Sequence, residues 1–337
     1  MSTPESVAEF AGPFVSGVLP DDVRASLRPL VLRGFVADWP LVRAAQTGAR
    51  AAIEHLRGFD AGRPVTAFIA PPEIDGRFFY SADLSGFNFA SQRQRLAVVL
   101  DALSAELDNP APPAIYVGST TIETTLPGLL PEASLRMVAP DALASIWLGN
   151  RSRIAAHQDL PDNLACVVAG RRRFTLFPPA QLPNLYIGPL DFTPAGQPIS
   201  LVDFAAPDFA RFPRFAEALR HALVVELAPG DALFIPSMWW HHIEALDSFN
   251  ALINYWWRRA PAYMDTPMTA LMTAILSVRD LPANERAIWH DVFRHYVFER
   301  DDDVAAHIPE AARRVLAPLD DASARKLRAR LLKRLNR

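Results

Sequence analysis

A single cysteine, Cys166, excludes an internal disulfide, and the apolar run 164–168 around it marks a small core side chain. A reducing compartment fits that usage. No uninterrupted apolar segment reaches the roughly 18 residues that a membrane-spanning helix needs. The start, MSTPESVAEFAGPF, lacks the basic residues and continuous apolar stretch of a secretory signal. Together these absences give a cytoplasmic location as the expectation, with no membrane partner. An excess of one charge is missing too. With 34 Lys and Arg against 37 Asp and Glu, the net charge of -3 offers no global attraction for nucleic acid or anionic lipid.

What is present is material for a core. Half of the 337 residues are hydrophobic and 21% are charged, which describes a globular chain of one large domain with or without an appendage. Thirty prolines and fifteen glycines cut it into short segments, with no internal repeat or low-complexity tract. Residues 1–112 look mixed, with a strand near Leu30 to Val36 and a helix around Ser91 to Leu107. Between 113 and 258 the runs are short and β-rich: Ile115 to Val117, Leu164 to Val168, Arg173 to Phe177, Leu223 to Leu227, Ala232 to Ile235 and Asn250 to Trp256. "APGDALFIP" at 228–236 reads as a turn at Pro229 and Gly230 feeding a strand that Pro236 ends. Many short antiparallel strands predict a mainly β barrel or jelly roll with flanking helices.

Residues 259–337 change character. Thr266 is placed to cap a helix with Pro267 at its first position and Met268, Leu271, Met272, Ile275 and Leu276 at helical spacing. A second helix carries Ile288, Trp289, Val292, Phe293 and Tyr296, and a last one Leu327, Leu331 and Leu335. Such amphipathic helices either pad the outside of the barrel or pair with a second copy in a homodimer. Arg325, Lys326, Arg328, Arg330, Lys333, Arg334 and Arg337 read as a solvated face rather than a nucleic-acid site, because the whole chain is slightly acidic.

The chemistry starts at "AAHQDLPDNLACVVAGRRRFTLFPP", residues 155–179. His157 and Asp159 are two apart, so on an extended strand both side chains share one face, as two ligands of one ion must. By itself the pair is equally a hydrogen-bonded couple. "IPSMWWHHIEAL" supplies His241 and His242 at the start of a later strand. Two histidines and one carboxylate on one face leave three positions of an octahedral Fe(II) open for cosubstrate and oxygen.

These segments, with "PGDALFIPSMWWHHIEAL" and "FNALINYWW", resemble the cupin-like branch of the JmjC-type Fe(II) and 2-oxoglutarate-dependent oxygenases, and most nearly its asparaginyl hydroxylases. The resemblance covers about residues 113–258 in order and spacing, and "LVLRGFVADWP" at 30–40 is similar to the family's N-terminal strand. It implies a double-stranded β-helix core at 113–258, flanked by the mixed region 1–112 and the helical region 259–337. It assigns His157, Asp159 and His241 as iron ligands and the catalytic set, and His242 to the other face of its strand. For 2-oxoglutarate it assigns Tyr116, Asn163, Arg172 and Asn254.

Arg172 stands where the family has a lysine; its guanidinium can grip a carboxylate through two parallel hydrogen bonds. Arg171 and Arg173 are expected to face outward. Ile154 replaces a family threonine, so one hydrogen bond to the cosubstrate is absent. The implied reaction consumes 2-oxoglutarate and dioxygen, releases succinate and carbon dioxide, and hydroxylates a protein side chain or a small molecule. Retention of Asp159 favours hydroxylation over halogenation. Most of Phe78, Phe79, Tyr80, Trp239, Trp240, Trp256 and Trp257 are expected in the core, with a minority lining a substrate groove. Arg172 and Ile154 keep two alternatives open: a non-catalytic cupin-like binding module, and a metal-dependent cupin enzyme that does not use 2-oxoglutarate.

Overall fold

The computed structural model describes residues 5–15, 18–130, 142–194, 196–299 and 302–336. Contacts divide the chain into two units, 1–259 and 260–337.

In the first unit fourteen strands are described: β1 (Glu5–Ser6), β2 (Leu30–Leu32), β3 (Pro64–Ala70), β4 (Arg77–Phe78), β5 (Ala90–Arg95), β6 (Ala114–Thr121), β7 (Leu143–Gly149), β8 (Ser152–Gln158), β9 (Asp162–Ala169), β10 (Arg172–Phe177), β11 (Leu223–Leu227), β12 (Ala232–Ile235), β13 (Trp240–Ala245) and β14 (Asn250–Trp257). They form a six-stranded sheet in the order β1-β11-β10-β13-β8-β4 and an eight-stranded sheet in the order β2-β12-β9-β14-β7-β6-β3-β5. Neighbours are antiparallel except β1 with β11 and β4 with β8. This is the jelly roll with flanking helices that the sequence pattern predicts.

Strand periodicity sorts side chains into layers. Along β9, Leu164, Cys166 and Val168 enter a core beneath the helices Pro40–Thr47, Ala49–Arg57 and Leu96–Ala105, while Ala165 and Val167 enter a second core between the sheets. Buried on both faces, β9 reads as one continuous apolar run. The same alternation sends Ile253 and Tyr255 of β14 to the helix side and Leu252 to the inter-sheet side. Asn163 and Asn254, in phase with the second set, therefore point between the sheets. Gly170, at φ 65, makes the turn from β9 to β10, where an added Cβ would meet Asn250 Oδ1 at 2.3 Å. That turn sets Arg172 opposite Leu227 and Ala245, in phase with the inward Phe174 and Leu176.

Two expectations from the first 112 residues need correction. Ser91 to Arg95 is not helical: β5 pairs residue by residue with β3, and the helix starts only at Leu96. Cross-strand pairing overrides the polar composition there. The strand at Leu30 ends at Leu32, because the Asp231 carboxylate captures the Gly34 amide at 2.9 Å and Arg33 Nη1 at 2.8 Å, holding Gly34 at φ 66.

In the second unit the helices are Pro267–Ser277, Ala283–Phe293 and Asp321–Leu335, with a π-helical turn Arg294–Phe298 after the second. Thr266 caps the first, its hydroxyl accepting from the Met268 amide at 3.3 Å. Asp320 and Ser323 form a reciprocal capping box on the last. Of its described residues only Ala305 and Ala324 are buried. Arg337 lies outside the described residues.

Candidate metal centre

β8 and β13 are adjacent and antiparallel, and their register sets His157 directly opposite His241. Directly opposed residues share a face, so the two imidazoles lie together, ring centroids 4.3 Å apart. Asp159 follows one residue beyond β8, where its carbonyl accepts from the Met238 amide at 2.9 Å and ties the strand end to the turn before β13. One ligand atom from each of His157, Asp159 and His241 lies within 4.8 Å of the others, and His241 Nε2 is 3.5 Å from Asp159 Oδ2.

The donor chemistry suits a cation. His157 Nδ1 contacts the Ala155 carbonyl at 2.9 Å and His241 Nδ1 the Trp239 carbonyl at 3.0 Å. A carbonyl can only accept, so each Nδ1 carries the proton and each Nε2 keeps its lone pair for a metal. Burial pushes the His157 imidazole down to about 4, helped by His241, so the ring is neutral. Burial of Asp159 works toward protonation, but contact with the His241 and His157 imidazoles outweighs it and holds the carboxyl below its ordinary range.

His242 points the other way, as expected. It stacks on Phe204 at 4.6 Å and 24° beyond the outer face of the six-stranded sheet, paired in register with Thr175, and burial drives its ring down to about 3.

A cavity of about 610 Å³ opens from the three ligands into the space between the sheets. Tyr116, Trp147, Ile154, Asn163, Arg172 and Asn254 all line it, so every cosubstrate position inferred from sequence reaches one space. Arg172 is 4% exposed; among the described residues its Nη2 contacts only the Trp147 carbonyl at 3.5 Å and its Nε has no partner. No carboxylate pairs with it among the described residues. Burial without an anion lowers this guanidinium to about 10, which is still charged at neutral pH. A buried, charged guanidinium with no counter-ion among the described residues, facing a cavity, fits an incoming carboxylate. Burial raises Tyr116 above its ordinary value, so its hydroxyl keeps its proton and can donate. Asn254 accepts from Trp147 Nε1 at 2.7 Å and donates to Asn163 Oδ1 at 3.3 Å.

Arg171 and Arg173 are exposed and neutralised by Glu226, Glu244 and Asp247. Trp239, Trp240, Trp257, Phe79 and Tyr80 are buried away from the cavity, whereas Phe78 and Trp256 line it. Sequence reasoning missed Trp147, which orients Asn254, and Phe68, Gln197 and Ile199 in the cavity wall. For Trp147 a signal existed: in "LASIWLG" it alternates with Ile146 and Leu148, both on the helix side, and so faces inward with Ser145. Ile199 sits in an irregular excursion after β10 and had no periodic signal.

Jelly-roll sheets enclosing two histidines and a carboxylate beside a cationic cavity define a JmjC-type cupin. Residues 17–263 match the cupin-like domain, and the chain belongs to that family. It is similar to human HSPB1-associated protein 1, 34% identical over 149 residues, 43% of this chain and 30% of that protein. It is also similar to the human bifunctional peptidase and (3S)-lysyl hydroxylase JMJD7, 26% identical over 262 residues, 68% of this chain and 77% of that protein. Lysine-specific demethylase JMJ31 of Arabidopsis thaliana is 32% identical over 145 residues, 41% of this chain and 26% of that protein. The matched segment thus spans about a third of HSPB1-associated protein 1. Among the described residues no helix is long and apolar enough to cross a membrane.

Proposed function

We propose that the chain is an Fe(II)- and 2-oxoglutarate-dependent oxygenase that hydroxylates a side chain of a protein or peptide. The observation that carries this is Arg172, a buried guanidinium without an anion, lining the same cavity as three convergent metal ligands. Bound iron and 2-oxoglutarate supply oxidative decarboxylation to succinate and carbon dioxide coupled to insertion of one oxygen atom into a substrate C–H bond.

The protein's own residues bind and orient. His157 and His241 offer Nε2, locked in that tautomer by backbone carbonyls, and Asp159 offers a carboxylate ionised by its neighbours. Arg172 receives the far carboxylate of the cosubstrate in a two-pronged grip, and the Tyr116 hydroxyl donates a further hydrogen bond. Asn163 and Asn254, fixed by each other and by Trp147, hold the cavity wall in shape. Ile154 adds apolar wall where the family has a hydroxyl, so Arg172 carries more of the grip. Phe68, Phe78 and Ile199 keep water from the reacting carbon.

A protein substrate is supported by the names of the lysyl hydroxylase and lysine-specific demethylase relatives. The test is turnover of 2-oxoglutarate by iron-loaded protein. Succinate release that needs oxygen and is lost in His241→Ala is expected; iron-loaded protein that binds metal yet releases no succinate in any condition would return the chain to the binding-module alternative.

A further inference from the structure

We propose that the mouth of this cavity carries a docking edge for an extended acidic peptide, β5, with Arg93 and Arg95 as its recognition residues. The inference rests on the oxygenase reading for its purpose and names the substrate class of that site.

The register is the starting point. Pro64, Val65, Thr66 and Phe68 of β3 line the cavity, and the direct partners on β5 of Pro64, Thr66 and Phe68 are Arg95, Arg93 and Ser91. Opposed residues of an antiparallel pair project from the same face, so both guanidinium groups rise on the cavity side, one strand spacing of about 4.8 Å beyond its rim. The opposite face confirms the phase: Gln92 and Gln94 bond to each other at 3.0 Å across from Ala67 and Val65, which belong to the helix-side core.

Arg93 and Arg95 are exposed, and neither has an ion-pair partner among the described residues. That sets them apart from Arg171 and Arg173, which are matched by carboxylates on adjacent strands. Two like charges at i and i+2, about 7 Å apart, are a pattern that alternate residues of an added strand can meet.

Among the described residues β5 is the terminal strand of the eight-stranded sheet, so one row of its backbone N–H and C=O groups has no strand partner there. A peptide satisfies that row and nucleic acid does not. Two arginines also fall short of the extended basic stripe that a phosphate backbone needs on a chain of net charge -3. The occupant is therefore a segment with carboxylates at alternating positions, flanking the residue that enters the cavity.

The test uses the full chain, loaded with iron and 2-oxoglutarate without oxygen, and three fluorescein-labelled probes: a 12-residue Thr/Val peptide with Glu at alternating positions, its Lys counterpart, and a 12-nucleotide single-stranded RNA. Fluorescence anisotropy is expected to show the Glu peptide binding at least tenfold tighter than the Lys peptide. Arg93→Glu with Arg95→Glu is expected to reverse that order, Arg93→Lys with Arg95→Lys to keep it, and N-methylation of alternate peptide amides to abolish binding; melting curves check that the variants fold. Equal binding of the two peptides, a preference unmoved by charge reversal, indifference to N-methylation, or tighter binding of RNA would each overturn the proposal. In the wild type, a visible chelate band without charge-selective peptide binding sinks the docking edge alone, whereas absence of the band sinks the oxygenase reading.

Discussion

Replacing Arg172 by methionine should make the ligand-free protein more stable and deaf to 2-oxoglutarate. Burial lowers the guanidinium from its ordinary value to about 10. At 1.36 kcal/mol per unit this is a cost of about 3 kcal/mol for folding with the charge inside. The folded state binds this proton less tightly than the unfolded chain, so the cost is fully present below about pH 10 and fades as pH rises toward the ordinary guanidinium range. Methionine keeps most of the apolar stem and removes the charge, losing one long hydrogen bond to the Trp147 carbonyl. A net gain of ~1–3 kcal/mol should raise the melting temperature by about 5 °C or less. With manganese in place of iron and 2-oxoglutarate at a hundred times its dissociation constant, the wild type gains ~2.7 kcal/mol and the variant none. The melting order therefore closes or inverts on adding the ligand. A variant that melts lower than wild type without ligand, or gains as much from 2-oxoglutarate, would refute the reasoning.

His241→Ala should abolish iron binding in a metal titration, while His242→Ala keeps it and loses ~2–3 kcal/mol of stability with its stacking on Phe204; similar metal loss in both would contradict the ligand assignment. Ile154→Thr should tighten 2-oxoglutarate about fivefold by calorimetry, one hydrogen bond being worth ~1 kcal/mol, and unchanged affinity would mean that the cosubstrate does not reach that wall. Cys166 is fully buried and its thiol is pushed up by that burial, so a thiol reagent should label it only after urea unfolding; labelling of the native protein would place a gap in the helix-side core.

The parts of the site legible in sequence were those tied to strand phase. His157 and Asp159 share a face because they are two apart, and Arg172 faces inward because it is in phase with Phe174 and Leu176. Ile154 is a harder case: three residues before His157 it should point outward on a regular strand, yet a register shift between β8 and β13 lets both line the cavity. No composition rule announces that shift. β5 is hidden from sequence reading for a related reason, since "ASQRQR" is a strand only because β3 lies beside it. Arginine at 172 fits the whole chain, where Lys326 and Lys333 are the only lysines among 34 basic residues. The sequence shows that usage; that this arginine has no counter-ion among the described residues needed the structure.

The central claim is that three ligands and one arginine serve a single metal-chelating dicarboxylic acid. Anaerobic titration of 2-oxoglutarate into Fe(II)-loaded protein tests it most directly. A saturable visible charge-transfer band at one equivalent, absent in His241→Ala and strongly weakened in Arg172→Met, is predicted; iron-loaded wild type with no band at any concentration would contradict the account.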